Sequence, residues 1–186
     1  MGLNAEWIAV HGVDKAAVLQ RLGFEETAKP TDYLEARYSV RQLPTGWIVA
    51  FFNRGDWIEP GRMAELSAGG RAVACKMAET VNFSAASGWR DGAQLWELES
   101  NPEKLLNDVR VTGAPPAELA PLLAQARANQ AQEEDVDHMV ELAADLVGAI
   151  CGFNPFATGP DGDFRVMVQT GGRPARTGWL ARLFGR

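Results

Sequence analysis

His11, His138, Cys75 and Cys151 are the residues of this 186-residue chain most suited to hold a metal ion. None of them pairs at a C-x-x-C or H-x-x-x-H spacing, the local pairs from which structural zinc sites are built. Cys75 falls on the apolar face of an expected strand and Cys151 closes an apolar helical stripe. A free thiol in such a place behaves as a small hydrophobe. The expectation is no metal and no cofactor.

Nucleophilic catalysis would need a hydroxyl beside a base. Ser67, Ser84 or Ser87 could meet His138 with Asp135 or Asp145 behind it, yet no G-x-S-x-G elbow or cysteine-nucleophile signature supports the set. His138 lies on the polar face of its expected helix, one turn from Glu134 and Glu141. His11 ends a strand beside Gly12 and is the better placed of the two histidines. Carboxylates are dense at Glu133, Glu134, Asp135 and Asp137, where the dipole of a helix N-terminus favours negative charge. Glu97 and Glu99 share one face of a strand, read here as solvated. A glycosidase pair would need a fixed carboxylate separation, which no spacing supplies. The Gly88-Trp89-Arg90-Asp91-Gly92 run leads from strand to strand, with no helix N-terminus to hold phosphate.

Tryptophan is the remaining signal, with six copies. Trp7, Trp47 and Trp96 lie in apolar strands. Trp57 and Trp89 stand beside turns among charged residues, with Arg54, Asp56 and Glu59 around the first and Arg90 and Asp91 around the second. Aromatic residues beside arginine are a common composition of protein interfaces. The alternative is that each indole folds back over the core. The candidate binding residues are therefore Trp57, Trp89, Arg90, Asp91, His138 and, in the C-terminal tail, Trp179.

Composition narrows the classes. Hydrophobic residues make up 46% of the chain and charged residues 23%, so a packed core is affordable at this length. A net charge of -6 disfavours nucleic acid as partner, because phosphate neutralisation supplies most of that affinity. Four lysines against fourteen arginines, with abundant Ala and Gly, suggest a GC-rich bacterial genome. No basic, apolar leader opens the sequence and no 18-residue apolar run occurs, so a cytoplasmic location without a transmembrane segment is expected.

The elements that must position these residues read as follows. Residues 7–10 form a first strand. A helix follows, with Asp14 as N-cap, Val13 and Val18 as a hydrophobic staple, and Gly23 at C′. Residues 33–43 alternate as a strand, and residues 47–52 (WIVAFF) form one buried on both faces. A short helix at 62–66 and a strand at 72–81 come next. Residues 83–89 and 95–98 flank Arg90-Asp91-Gly92 as a tight hairpin, since Asp-Gly is favoured in type I′ turns. Two helices are expected at 118–129 and 136–151, the second carrying Val136, Met139, Val140, Ala143, Val147, Ile150 and Cys151 on one face. A strand at 164–168 precedes a basic amphipathic tail.

The order strand, helix, strand, strand, helix, strand through the first eighty residues is that of a split βαβ, ferredoxin-like layer. The expected fold is α+β: an antiparallel-rich sheet with that N-terminal connectivity, extended by the hairpin and covered by two C-terminal helices. Residues 1–170 form one domain and 171–186 a tail, whose Trp179, Leu183 and Phe184 dock on an apolar groove of this chain or a second copy. The functional expectation is a non-enzymatic, inhibitor- or immunity-like binding module with a protein partner or a second copy of itself. The alternative is a small enzyme or ligand-binding domain with a site assembled from dispersed residues.

Overall fold

The computed structural model describes residues 3–101, 108–133, 137–157 and 163–171. Nine strands form one antiparallel sheet: β1 (Asn4–His11), β2 (Phe24–Thr31), β3 (Tyr38–Gln42), β4 (Ile48–Phe52), β5 (Arg71–Ala78), β6 (Phe83–Arg90), β7 (Ala93–Ser100), β8 (Val109–Gly113) and β9 (Phe164–Gln169). Four α-helices join them: α1 (Lys15–Leu22), α2 (Pro60–Ser67), α3 (Leu119–Gln130) and α4 (Leu142–Cys151). The strands lie in the order β2-β9-β3-β4-β1-β5-β6-β7-β8, and every neighbouring pair is antiparallel. The chain is thus α+β, with the hairpin strands β6 and β7 extending the sheet beyond β5.

Side-chain alternation along the central strands builds two cores. On one face Ile8, Val10, Ile48, Ala50 and Phe52 pack with Val18, Leu22, Met63 and Leu66 of α1 and α2. On the other, Trp7, Ala9, Val49, Phe51, Cys75 and Leu98 pack with Ala143, Leu146, Val147 and Cys151 of α4, against which α3 rests. All five residues of β4 are buried, as a continuous apolar run between two helical layers should be. Among the described residues no helix is long and apolar enough to cross a membrane.

Local chemistry sets the element ends. The Asp14 carboxylate accepts the Ala17 N–H at 2.9 Å, and Gly23 closes α1 in the left-handed conformation, φ 78°. The Asp91-Gly92 turn has φ of 48° and 84°, both positive as a type I′ turn requires, and joins β6 to β7 directly.

Four expectations are corrected. The strand read over residues 33–43 is only Tyr38–Gln42. Tyr33 lies in the preceding loop, its ring buried against Phe51, Phe153 and Phe164 and its hydroxyl donating to Pro155 O at 2.8 Å. The strand read to residue 81 ends at Ala78 and passes into a 3-10 turn. The helix read over 136–151 begins at Leu142. There the Asp137 carboxylate accepts the Met139 N–H at 3.0 Å and Gln130 accepts the His138 N–H at 2.9 Å, so side chains replace helical partners. Glu99 is buried, because β8 packs outside β7 and places Arg110 opposite it in an ion pair. β2 and β8 themselves were not anticipated. Trp179 and the tail from 172 onward lie outside the described residues, as do residues 134–136.

Candidate functional site

Of the two readings of Trp57 and Trp89, an interface or a lid folded back over the core, the structure has the second. Trp57 is 2% exposed and stacks on Phe52 with ring centroids 4.9 Å apart, while the Arg62 guanidinium covers its ring at 4.9 Å. Its Nε1 donates to Arg54 O at 3.2 Å. Trp89 is 7% exposed, packed in the α1/α2 core, with its Nε1 donating to Ser87 Oγ at 3.0 Å. Both have folded back over the core. His138 precedes the buried Met139 of the opposite core, and its Nε2 lies 3.3 Å from the Glu133 carboxylate. The sheet therefore separates His138 from Trp57 and Trp89. Arg90 and Asp91 are exposed at the hairpin tip, beside His11 and Arg71. Among the described residues, Trp57, Trp89, Arg90, Asp91 and His138 do not converge on one site.

A buried polar network forms where no motif suggested one. Glu6 on β1 and Lys76 on β5 are cross-strand partners, and Asp56, in the loop before α2, joins them. Every oxygen of Glu6 is engaged: Oε1 with Lys76 Nζ at 2.8 Å, Oε2 with the N–H groups of Trp57 at 2.5 Å and Ile58 at 3.2 Å. Burial pushes the Glu6 carboxyl above its ordinary value, against the pull of Lys76 and the Trp57 N–H. For Lys76, desolvation works against the ammonium, but Glu6 and Asp56 outweigh it and raise its value. With its partners all internal, the network ties the loop carrying Trp57 to the sheet.

A cleft of about 940 Å³ lies elsewhere on the molecule. Its walls come from five separate segments: the start of β1, the loop before β3, the chain leaving β4, the turn after β5 and the loop after α4. Local hydrogen bonds fix these walls. Glu79 Oε2 accepts the Leu3 N–H at 2.6 Å, and Asn53 Nδ2 donates to Tyr33 O and Ala36 O, each at 2.5 Å. Leu34 and Phe156 stand 48% and 42% exposed at its edge, the largest apolar side chains that it offers to water. Arg37 and Arg54 also line it, the former with its guanidinium 5.1 Å from the centre of the Tyr38 ring. Among the described residues neither arginine has a carboxylate within ion-pair distance.

Chemically the cleft offers apolar surface, guanidinium donors and the carboxylates of Glu35 and Glu79, the second already occupied by Leu3. Its described lining has no histidine, cysteine, serine or threonine. Among the described residues no group of three His, Cys, Asp or Glu side chains is placed to hold a metal ion. Sequence reasoning missed the cleft because five distant segments meet in it, and its only local trace is the mixed run Leu34-Glu35-Ala36-Arg37. The geometry carries the functional reading by itself: no protein-family model, curated protein or solved structure matches the chain.

Proposed function

We propose that this chain is a non-enzymatic binding module that takes an amphipathic segment of a protein partner in the cleft between Leu34 and Phe156. The observation that carries the reading is the pairing of two exposed apolar side chains with two arginines that have no described carboxylate partner. An occupant with an apolar side chain next to an Asp or Glu would cover the first and neutralise the second. Arginine suits that role because its planar fork donates two parallel hydrogen bonds to a carboxylate. The ferredoxin-like reading of the first eighty residues belongs to the same proposal. The order β3-β4-β1-β5, with α1 and α2 packed on one face, supports it.

Selection from a displayed peptide library against the whole chain tests the binding reading. Enriched peptides should combine an aromatic or Leu with an acidic residue. Their affinity should fall at least tenfold in Phe156→Asp and in Arg54→Glu, since both residues are exposed and neither change disturbs a core. Peptides that bind both variants as well as the parent would overturn the assignment. A small molecule that copurifies with the chain and is lost in the same two variants would favour the ligand-binding alternative.

A further inference from the structure

At the far end of β1 from that cleft, the register lines up a histidine and two arginines. His11 on β1 is directly opposite Arg71 on β5, and Arg71 is directly opposite Arg90 on β6. Residues directly opposite in antiparallel strands project from the same face with their Cβ atoms about 5 Å apart. Like charges in that relation repel, so such a row is unfavourable unless something holds it or something binds it. Trp47 holds part of it. The Arg71 guanidinium lies 4.8 Å from the centre of the Trp47 ring, and the His11 ring lies 5.2 Å from it. Among the described residues no carboxylate pairs with Arg71 or Arg90, on a chain of net charge -6.

Beside the row is a hollow of about 290 Å³, lined by His11, Arg71, Arg90 and Asp91 together with Gly12, Gly69 and Gly70. The glycines leave the cations accessible. At Gly70 a Cβ would meet His11 O at 2.5 Å, so the backbone approaches too closely for any other residue. Asp91 is the one acid in the lining. It sits in the left-handed turn, with its N–H donating to Ser67 O and Gly70 O at 3.0 Å each, and forms no ion pair with either arginine.

We infer that this hollow is a binding site for a phosphate group, either free phosphate or the phosphate of a small monoester. Two guanidiniums set against one carboxylate leave a net positive recess, and guanidinium forks match the paired oxygens of phosphate. The volume suits a phosphate with a short stem rather than an extended polymer. The site lies apart from the cleft of the proposed function and stands without it.

Amide NMR spectra of the full chain, titrated with sodium phosphate, phenyl phosphate, and sodium chloride at matched ionic strength, test the inference. Phosphate or its monoester should give saturating shifts centred on Gly69, Gly70, Arg71 and Arg90 that chloride does not reproduce. A response to both names free phosphate as sufficient, and a response to phenyl phosphate alone names the monoester. Arg71→Gln and Arg90→Gln should each weaken binding at least tenfold, and Arg71→Lys by less, while the dispersed spectrum reports that each variant is folded. Parent spectra that respond to phosphate only as they do to chloride would overturn the site. So would saturating shifts unchanged in both glutamine variants.

Discussion

The Glu6 carboxylate and the Lys76 ammonium lie 2.8 Å apart across the β1–β5 pairing, with the carboxylate only 3% exposed. Removing one member of such a pair strands the other without its partner. Lys76→Met should therefore cost about 3 kcal/mol in urea unfolding at neutral pH. The double variant Glu6→Gln/Lys76→Met should recover part of that loss, because no buried charge is then left unpaired. A double variant no more stable than Lys76→Met would show that the pair contributes through packing rather than charge.

The two groups give stability pH slopes of the same sign in two separate windows. Glu6 has a raised value, so the folded chain binds its proton more tightly than the unfolded one. Its contribution falls as pH rises from the ordinary carboxylate value, about 4.3, through the raised one. Lys76 is raised too, so its contribution is complete below the unfolded value of about 10.4 and is lost as pH climbs through the folded one. Urea unfolding as a function of pH should show the acidic slope flattened in Glu6→Gln and the alkaline loss reduced in Lys76→Met.

Gly92 stands at φ 84° in the second position of the hairpin turn. A β-branched residue there is strained, and Gly92→Val should lower unfolding stability by more than about 1 kcal/mol. Asp91→Asn should stay within about 0.5 kcal/mol of the parent, because Asn tolerates the left-handed conformation as well as Asp does.

Val147 in the middle of α4 is fully buried, and Glu141 just before its first residue is exposed. Val147→Asp places a charge in the core and should cost several kcal/mol, seen as a lost cooperative melt. Glu141→Gln should leave the melting temperature unchanged. Reversed sensitivities would mean that the acidic side of this helix is the working one.

Both thiols are shielded. Burial pushes Cys75 well above its ordinary value and raises Cys151 to about 11. Since the thiolate is the reactive form, a disulfide reagent at pH 8 should modify neither cysteine in the folded chain and both in urea. Rapid native labelling of either would place it at the surface.

Elements with a local physical signature were legible in the sequence. Asp14 and Gly23 mark both ends of α1 through cap chemistry, and Asp91-Gly92 marks its turn through backbone preference. β2 (FEETAKPT) was not legible, because an edge strand paired on one side carries charged residues and Pro30 in place of alternation. β8 (VRVTG) is the opposite edge; Val109 and Val111 do alternate toward the core, but over only five residues. Met139 misled the reading of α4: it is buried from a turn yet falls in phase with the helical stripe that follows. Turn neighbours left two readings open for Trp57 and Trp89, since charged flanks do not reveal that Phe52 or a helix lies over the ring. The cleft and the cationic row were illegible because both depend on strand register, which brings His11, Arg71 and Arg90 abreast from three separate segments.

The placement of β9 bears on how the chain is made. β2 and β3 are consecutive in sequence, yet β9 lies between them, and the hydrogen bond from Thr27 to Val166 spans 139 residues. On the ribosome, β3, β4, β1, β5 and the hairpin can assemble in the order in which they emerge. β2 has no sheet neighbour to join until β9 has been translated. It waits as a solvated, charged segment, and those charges keep it from pairing with other nascent chains meanwhile. The residues that made β2 unreadable as a strand are the ones that let it wait.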